Sequence, residues 1–235
     1  MRNYFVLNNV DSRDFGVYIS GQGTFKAPSR VYNMVTIPGR NGDLVGYEKR
    51  FENIAVTYPA FIYSNFSKNI ESLRSFLLSL RGYHKLFDTY HPDEYRMALY
   101  QGPFEPEVTK KNDAGSFEIT FNCKPQRYLV NGEDRIELSA NASIYNPTLF
   151  DAQPLFRVYG AGEFGVNGDT ITITQADVYT DIDCEMMDAF KGSISKNAYV
   201  QLSSNDFPVL HSGENTITLG AGVSKIEVIP RWWTV

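Results

Sequence analysis

The chain has only two cysteines in 235 residues, Cys123 and Cys184, and they lie far apart. A small secreted domain held by disulfides carries more of them at closer spacing, so a disulfide framework is not what organises this chain. Both are expected as free thiols in small core or strand positions. The three histidines, His84, His91 and His211, are scattered. None has HxxxH or Cys/His spacing, so no zinc site and no cofactor are expected. There is no Gly-x-Ser-x-Gly elbow, and paired carboxylates would leave no local mark. The chain is not expected to be an enzyme. No apolar run approaches ~18 residues, so no membrane insertion is expected. Met1–Asn9 lacks the apolar stretch and cleavage site of a signal peptide, and synthesis in a cytoplasm is expected. A basic excess is missing as well: 22 Lys and Arg stand against 27 Asp and Glu, a net charge of −5. A general nucleic-acid binder needs a basic surface to displace counterions, so stable DNA binding is not expected.

Aromatic residues are abundant, at 14%, with 16 Phe and 15 Tyr. Both favour strands, which points to a β-rich protein. The length allows one large or two modest domains. Strand-like runs open the chain at Tyr4–Asn8, Phe15–Ser20, Val31–Ile37, Leu44–Phe51 and Ile54–Tyr63. Between the third and fourth lie two turn signals. Pro38-Gly39 suits the middle of a type II turn, and Asn41-Gly42 predicts a two-residue type I′ hairpin turn. Arg40 sits between them and Asp43 follows. The tip is either a solvated turn or a charged contact point.

One segment has helical period. Ile70, Leu73, Leu77 and Leu80 recur at three, four and three, forming one apolar stripe. The spacing predicts a helix over about 67–81, with Ser67 as N-cap and Gly82 as the left-handed stop. Ser116–Lys124 then alternates: Phe117, Ile119, Phe121 and Cys123 share one face. Pro125 is expected to end that strand. Asn131-Gly132-Glu133-Asp134 is a polar break, and the domain boundary is placed beside it, dividing residues 1–135 from 136–235. Beyond it, short strands recur at about 8–12 residues with Gly and Asn turns, Asn167-Gly168 among them, as in a β-sandwich.

Two clusters have competing readings. Asp181, Asp183 and Glu185 share one strand face, either as a divalent-cation site or as a solvated outer surface. Arg231-Trp232-Trp233 is either a sugar-stacking platform or subunit anchor, or a last strand docking its indoles on the core.

The order of motifs resembles the distal tail proteins of long, flexible-tailed bacteriophages (the Dit family). It runs through the Gly39-Arg40-Asn41-Gly42 turn, the helix ending in Arg81-Gly82 and the Pro92-Asp93-Glu94-Tyr95-Arg96 element. It continues through the Phe117–Pro125 strand, Asn146-Pro147-Thr148 with Pro154 and Gly160, Phe207–Asn215, and Ile226–Arg231. The resemblance implies a mainly β protein: an N-terminal β-barrel or sandwich-like ring-forming domain with one α-helix, then a C-terminal galectin-like β-sandwich. It implies a homohexameric ring at the distal end of the virion tail, with a central DNA channel. The implied partners are the chain itself, the tail tube or major tail protein, a tail-tip or tail-associated lysin protein, and receptor-binding proteins. Gly39, Arg40, Asn41, Gly42 and Asp43 become candidate subunit-interface residues. The other reading is a carbohydrate-binding module, with Trp232 and Trp233 as surface aromatics.

Overall fold

The computed structural model describes residues 2–21, 26–110, 113–175, 177–204 and 206–235. The chain forms two compact units, residues 1–127 with Val235 and residues 128–234. They part at Arg127/Tyr128, upstream of the break expected at 135/136. The Asn131–Asp134 stretch is no linker. Val130–Glu133 is a 3-10 turn with Gly132 buried, and the Gly132 carbonyl accepts the Arg231 N–H at 2.7 Å. The Asp134 N–H closes the turn on the Asn131 carbonyl, while Asn131, Glu133 and Asp134 stay exposed.

The first unit contains β1 (Phe5–Leu7), β2 (Val10–Asp11), β3 (Val17–Ile19), β4 (Arg30–Val35), β5 (Leu44–Phe51), β6 (Ile54–Ile62), α1 (Phe66–Ser79), β7 (His84–Asp88), β8 (Glu94–Tyr100), β9 (Glu107–Lys110) and β10 (Ala114–Leu129). Its main sheet runs β2-β1-β7-β8-β10-β6-β3, with β9 also on β10. β6 alternates: Ile54, Val56, Tyr58, Ala60 and Ile62 point inward. Their partners on β10 are Cys123, Phe121, Ile119, Phe117 and Gly115, so one alternation builds the core twice. β10 continues through Pro125 to Leu129, contrary to the expected stop. Its pairing with β6 ends at Cys123 opposite Ile54, so on that side Pro125 has no ladder bond to lose.

α1 closes this core. Phe66, Leu73 and Leu77 are buried, and Ile70 and Leu80 pack at the margin. Each buried leucine contributes roughly 2 kcal/mol by removal from water. Two expected helix ends differ. The N-cap is Asn65, at φ 52°, with no side-chain cap bond; Ser67 lies inside the first turn. Leu80 takes an extended backbone after the last turn, so Gly82, at φ 78°, turns the chain two residues beyond the cap.

The second unit contains β11 (Ile136–Leu138), β12 (Ala142–Asn146), β13 (Leu155–Gly160), β14 (Gly162–Val166), β15 (Asp169–Ile173), β16 (Thr180–Asp183), β17 (Asp188–Lys191), β18 (Ile194–Ser195), β19 (Val200–Leu202), β20 (Gly213–Leu219) and β21 (Val223–Ile229). One sheet runs β11-β21-β13-β16-β17-β18, the other β12-β20-β14-β15-β19. Phe156, Val158, Ile182, Ile226 and Val228 of the first share a core with Phe164, Val166, Ile171 and Ile217 of the second. That is an antiparallel sandwich. Asn167 at φ 53° and Gly168 at φ 97° turn β14 into β15, the two positive angles of a type I′ turn.

Two buried asparagines fix this unit's loops. Asn146 Nδ2 donates to the Phe150 and Leu210 carbonyls, and its Oδ1 accepts the Thr148 N–H at 2.9 Å. Asn215 Nδ2 donates to the His211 and Gly213 carbonyls, while its Oδ1 accepts the His211 N–H at 2.7 Å. Each amide thus ties together backbone groups at the ends of strands and in the loops beside them.

Candidate subunit-interface hairpin

β4 and β5 pair with each other and with no other described strand. Their register runs Tyr32 opposite Tyr47, Met34 opposite Val45, and Val35 opposite Leu44. All six of these side chains are exposed, Met34 at 59% and Val45 at 53%. Tyr32 and Tyr47 lean together with centroids 5.5 Å apart. Arg30 Nη1 donates to the Tyr47 hydroxyl at 2.6 Å, and its guanidinium lies over Phe51. These contacts stay within the arm. An isolated two-stranded hairpin is marginal in water, and one with apolar side chains bared along both strands gains by being covered.

The tip holds the five candidate residues. The Arg40 N–H closes on the Ile37 carbonyl at 3.2 Å with Gly39 at φ 80°, a type II turn around Pro38-Gly39. Asn41-Gly42 departs from the expected type I′ turn. Gly42 has φ 81° but Asn41 keeps a negative φ, and type I′ needs both positive. The strands stop at Val35 and resume at Leu44. The longer connection does not have to match the strand twist in two residues. Thr36 Oγ1 donates to Asp43 Oδ1 at 2.8 Å and clamps the base of the tip. Gly39, Arg40, Asn41, Gly42 and Asp43 are all exposed.

Sequence reasoning found the tip and missed the arm. Apolar residues at both parities, as in Met34-Val35 and Leu44-Val45, read as a strand buried on both faces. Nothing local distinguishes that from a strand awaiting a cover.

Of the three expected carboxylates, Glu185 is exposed in the turn after β16, while Asp181 and Asp183 on the strand are not. Asp181 and Asp183 are each only 4% exposed, so the solvated-face reading does not hold. Asp181 accepts Arg157 Nε at 2.7 Å and Nη2 at 2.9 Å. Asp183 accepts both Arg231 Nη atoms at 2.7 Å. Burial alone would raise the Asp183 pKa, but the Arg231 bonds and the Met186 and Glu185 N–H groups outweigh it and hold it low. Among the described residues no His/Cys/Asp/Glu group is arranged to hold a metal. The tryptophans divide. Trp232 is buried in the sandwich core, at 5%. Trp233 stacks on Phe150 with centroids 4.5 Å apart and donates Nε1 to the Asp151 carbonyl at 2.9 Å.

The family model of the phage tail protein RIFT-related domain matches residues 10–123. The matched span covers nearly the whole first unit. Among solved structures, SPP1 Dit (gp 19.1) is similar over 100% of both chains, with a TM-score of 0.76 at 14% identity. That protein is described as a paradigm of the hub adsorption apparatus in phages infecting Gram-positive hosts. At that identity the likeness shows a shared fold over the full length of both chains. No curated protein sequence matches the chain significantly.

Proposed function

We propose that this chain is the structural hub of a phage tail tip. Copies assemble as a homohexameric ring around a central DNA channel. The ring joins the tail tube to the tail-tip or lysin-type protein and organises the receptor-binding apparatus. Its role is architectural and not catalytic. The observation that carries the reading is the β4–β5 arm, an exposed apolar hairpin that pairs with no other described strand, in a span that matches a phage-tail domain model. The number six and the identity of the partners come from the resemblance to distal tail proteins.

Light scattering on a sizing column, with electron microscopy of the same fractions, tests the ring. Six copies of 26.6 kDa give a particle near 160 kDa. A strict monomer at tens of micromolar, with no ring in the assembled tail either, overturns the proposal. The carbohydrate-binding reading loses its aromatic platform. Trp232 is inside the core, and Trp233 is engaged by Phe150 and Asp151.

A further inference from the structure

β6 and β10 border a groove of about 830 Å³. Phe61 and Phe104 give it apolar walls, with the core residue Phe117 behind Phe104, and Glu105, Glu107 and Glu118 line it with carboxylates. Phe104 lies 5.4 Å from Phe117, centroid to centroid, and carries the 103–107 segment over the sheet. Among the described residues no lysine, arginine or histidine lines the groove. It therefore presents three negative charges beside aromatic rings.

The arm has the opposite character. Residues 30–51 contain Arg30, Arg40, Lys49 and Arg50 against Asp43 and Glu48, a net charge of +2 in a chain of −5. Its bared side chains are apolar, Met34, Val35, Leu44 and Val45 among them. Arm and groove also lie at different ends of one strand. The arm is rooted next to Asn53, whose Nδ2 donates to Asn122 Oδ1 at 2.9 Å, whereas the groove is lined by Pro59–Phe61. Six residues of strand separate these points by ~20 Å. Two different patches on one chain make a head-to-tail contact, and such contacts close into rings when the rotation allows.

We infer that this groove receives the β4–β5 arm of the next copy of the chain. The inference rests on the ring proposed above and names its interface. The arm's apolar side chains cover the aromatic walls, and its cations at Arg40, Lys49 and Arg50 meet Glu105, Glu107 and Glu118. The occupant is a second copy because the arm supplies the matching charge, and because the described residues of its own chain leave its apolar side chains exposed. Opposite charge across the contact selects the partner and speeds encounter.

The test uses the full chain. The double variant Glu107→Lys/Glu118→Lys changes two exposed side chains, so folding is checked by an unchanged thermal transition. It is expected to raise the concentration for half-assembly at least tenfold. Adding Arg40→Glu and Arg50→Glu to the same chain restores assembly. As a second readout, Val45→Cys protein is mixed with Glu118→Cys protein and oxidised. A disulfide-linked pair forms only in the mixture, because the native thiols are buried. If the ring assembles but the groove variants assemble like wild type and the cross-link fails, the groove assignment is wrong while the ring stands. If the groove variants form normal rings and lose only the binding of another tail protein, the groove belongs to that protein and the inference is overturned. A wild-type chain that never assembles overturns the ring and this interface together.

Discussion

Arg231 reaches back across forty-eight residues of chain to hold Asp183 with both Nη atoms at 2.7 Å. Arg231 itself sits at φ 58°, a left-handed turn that is uncommon outside glycine. The carboxylate it grips also accepts the Glu185 and Met186 N–H groups at 3.0 Å each. One buried pair thus anchors the β16–β17 turn to the C-terminal segment. Removing one partner of such a pair leaves an uncompensated charge, which costs about 3 kcal/mol or more. Arg231→Ala is expected to lower the unfolding free energy of the second unit by that amount at pH 7, read as a lower urea midpoint. The acid side follows from the low Asp183 pKa. Its stabilisation is complete above the ordinary carboxylate value of 3.8 and is lost as pH falls through the lower folded value. The wild-type loss on acidification should therefore be flatter in Arg231→Ala. An unchanged midpoint at pH 7 would show that the pair contributes nothing.

Glycine is required where two backbones meet. A Cβ on Gly222, at φ 89°, would stand 2.0 Å from the Ala161 carbonyl oxygen. Gly168, at φ 97°, has nothing within 4 Å of the same added atom. Gly222→Ala combines a backbone clash with a left-handed angle and is expected to cost about 3 kcal/mol or more. Gly168→Ala has only the angle to bear, about 1–2 kcal/mol. Denaturant titration of the two variants gives the order. Equal losses would mean the Gly222–Ala161 approach is not rigid.

The periodic parts of the fold were legible in the sequence. The Leu73/Leu77 stripe, the alternation of Phe117, Ile119, Phe121 and Cys123, and the Asn167-Gly168 turn each encode their geometry within a few residues. The polar anchors were not. Period two on β16 assigns Asp181 and Asp183 to one face and leaves that face in water. Thr180, Asp181, Ile182 and Asp183 are instead all buried, because Arg157 and Arg231, remote in sequence, cover the carboxylates. Asn146 and Asn215 were visible only as members of the family pattern, and what they do is satisfy loop backbone inside the second unit. The arm was opaque for a related reason. Its apolar residues look like core, yet among the described residues they stand exposed on a strand pair that no other strand joins.

Cys123 and Cys184 should be chemically silent in the folded protein. Both are free and buried. Burial pushes the Cys123 thiol up to about 12, and it raises the Cys184 thiol as well. The thiolate is the reactive species. A thiol-reactive chromophore at pH 8 is expected to label neither residue in native protein and both in guanidinium. Stoichiometric labelling of folded protein at pH 8 would show that one unit opens to solvent.

The last expectation concerns DNA. The proposed ring surrounds the path of a polyanion, and phosphate contacts from lysine and arginine on its wall would retard passage. Such contacts are the source of non-specific affinity, and that affinity falls steeply with salt. Six copies at −5 give a ring near −30, so the net field opposes sticking. Net charge does not fix where charges lie, but the arm, the one basic segment considered above, is committed to the acidic groove of a neighbour if the interface is as inferred. Its cations are then neutralised and withheld from the lumen. The inner wall should be neutral to acidic, and a gel-shift titration of the purified ring at low salt should show no complex. The same titration on a groove variant, Glu107→Lys/Glu118→Lys, should show weak, salt-sensitive binding, because the arm's cations are freed and two more are added. Micromolar binding by the wild-type ring that weakens steeply with salt would establish a basic lumen and overturn the expectation.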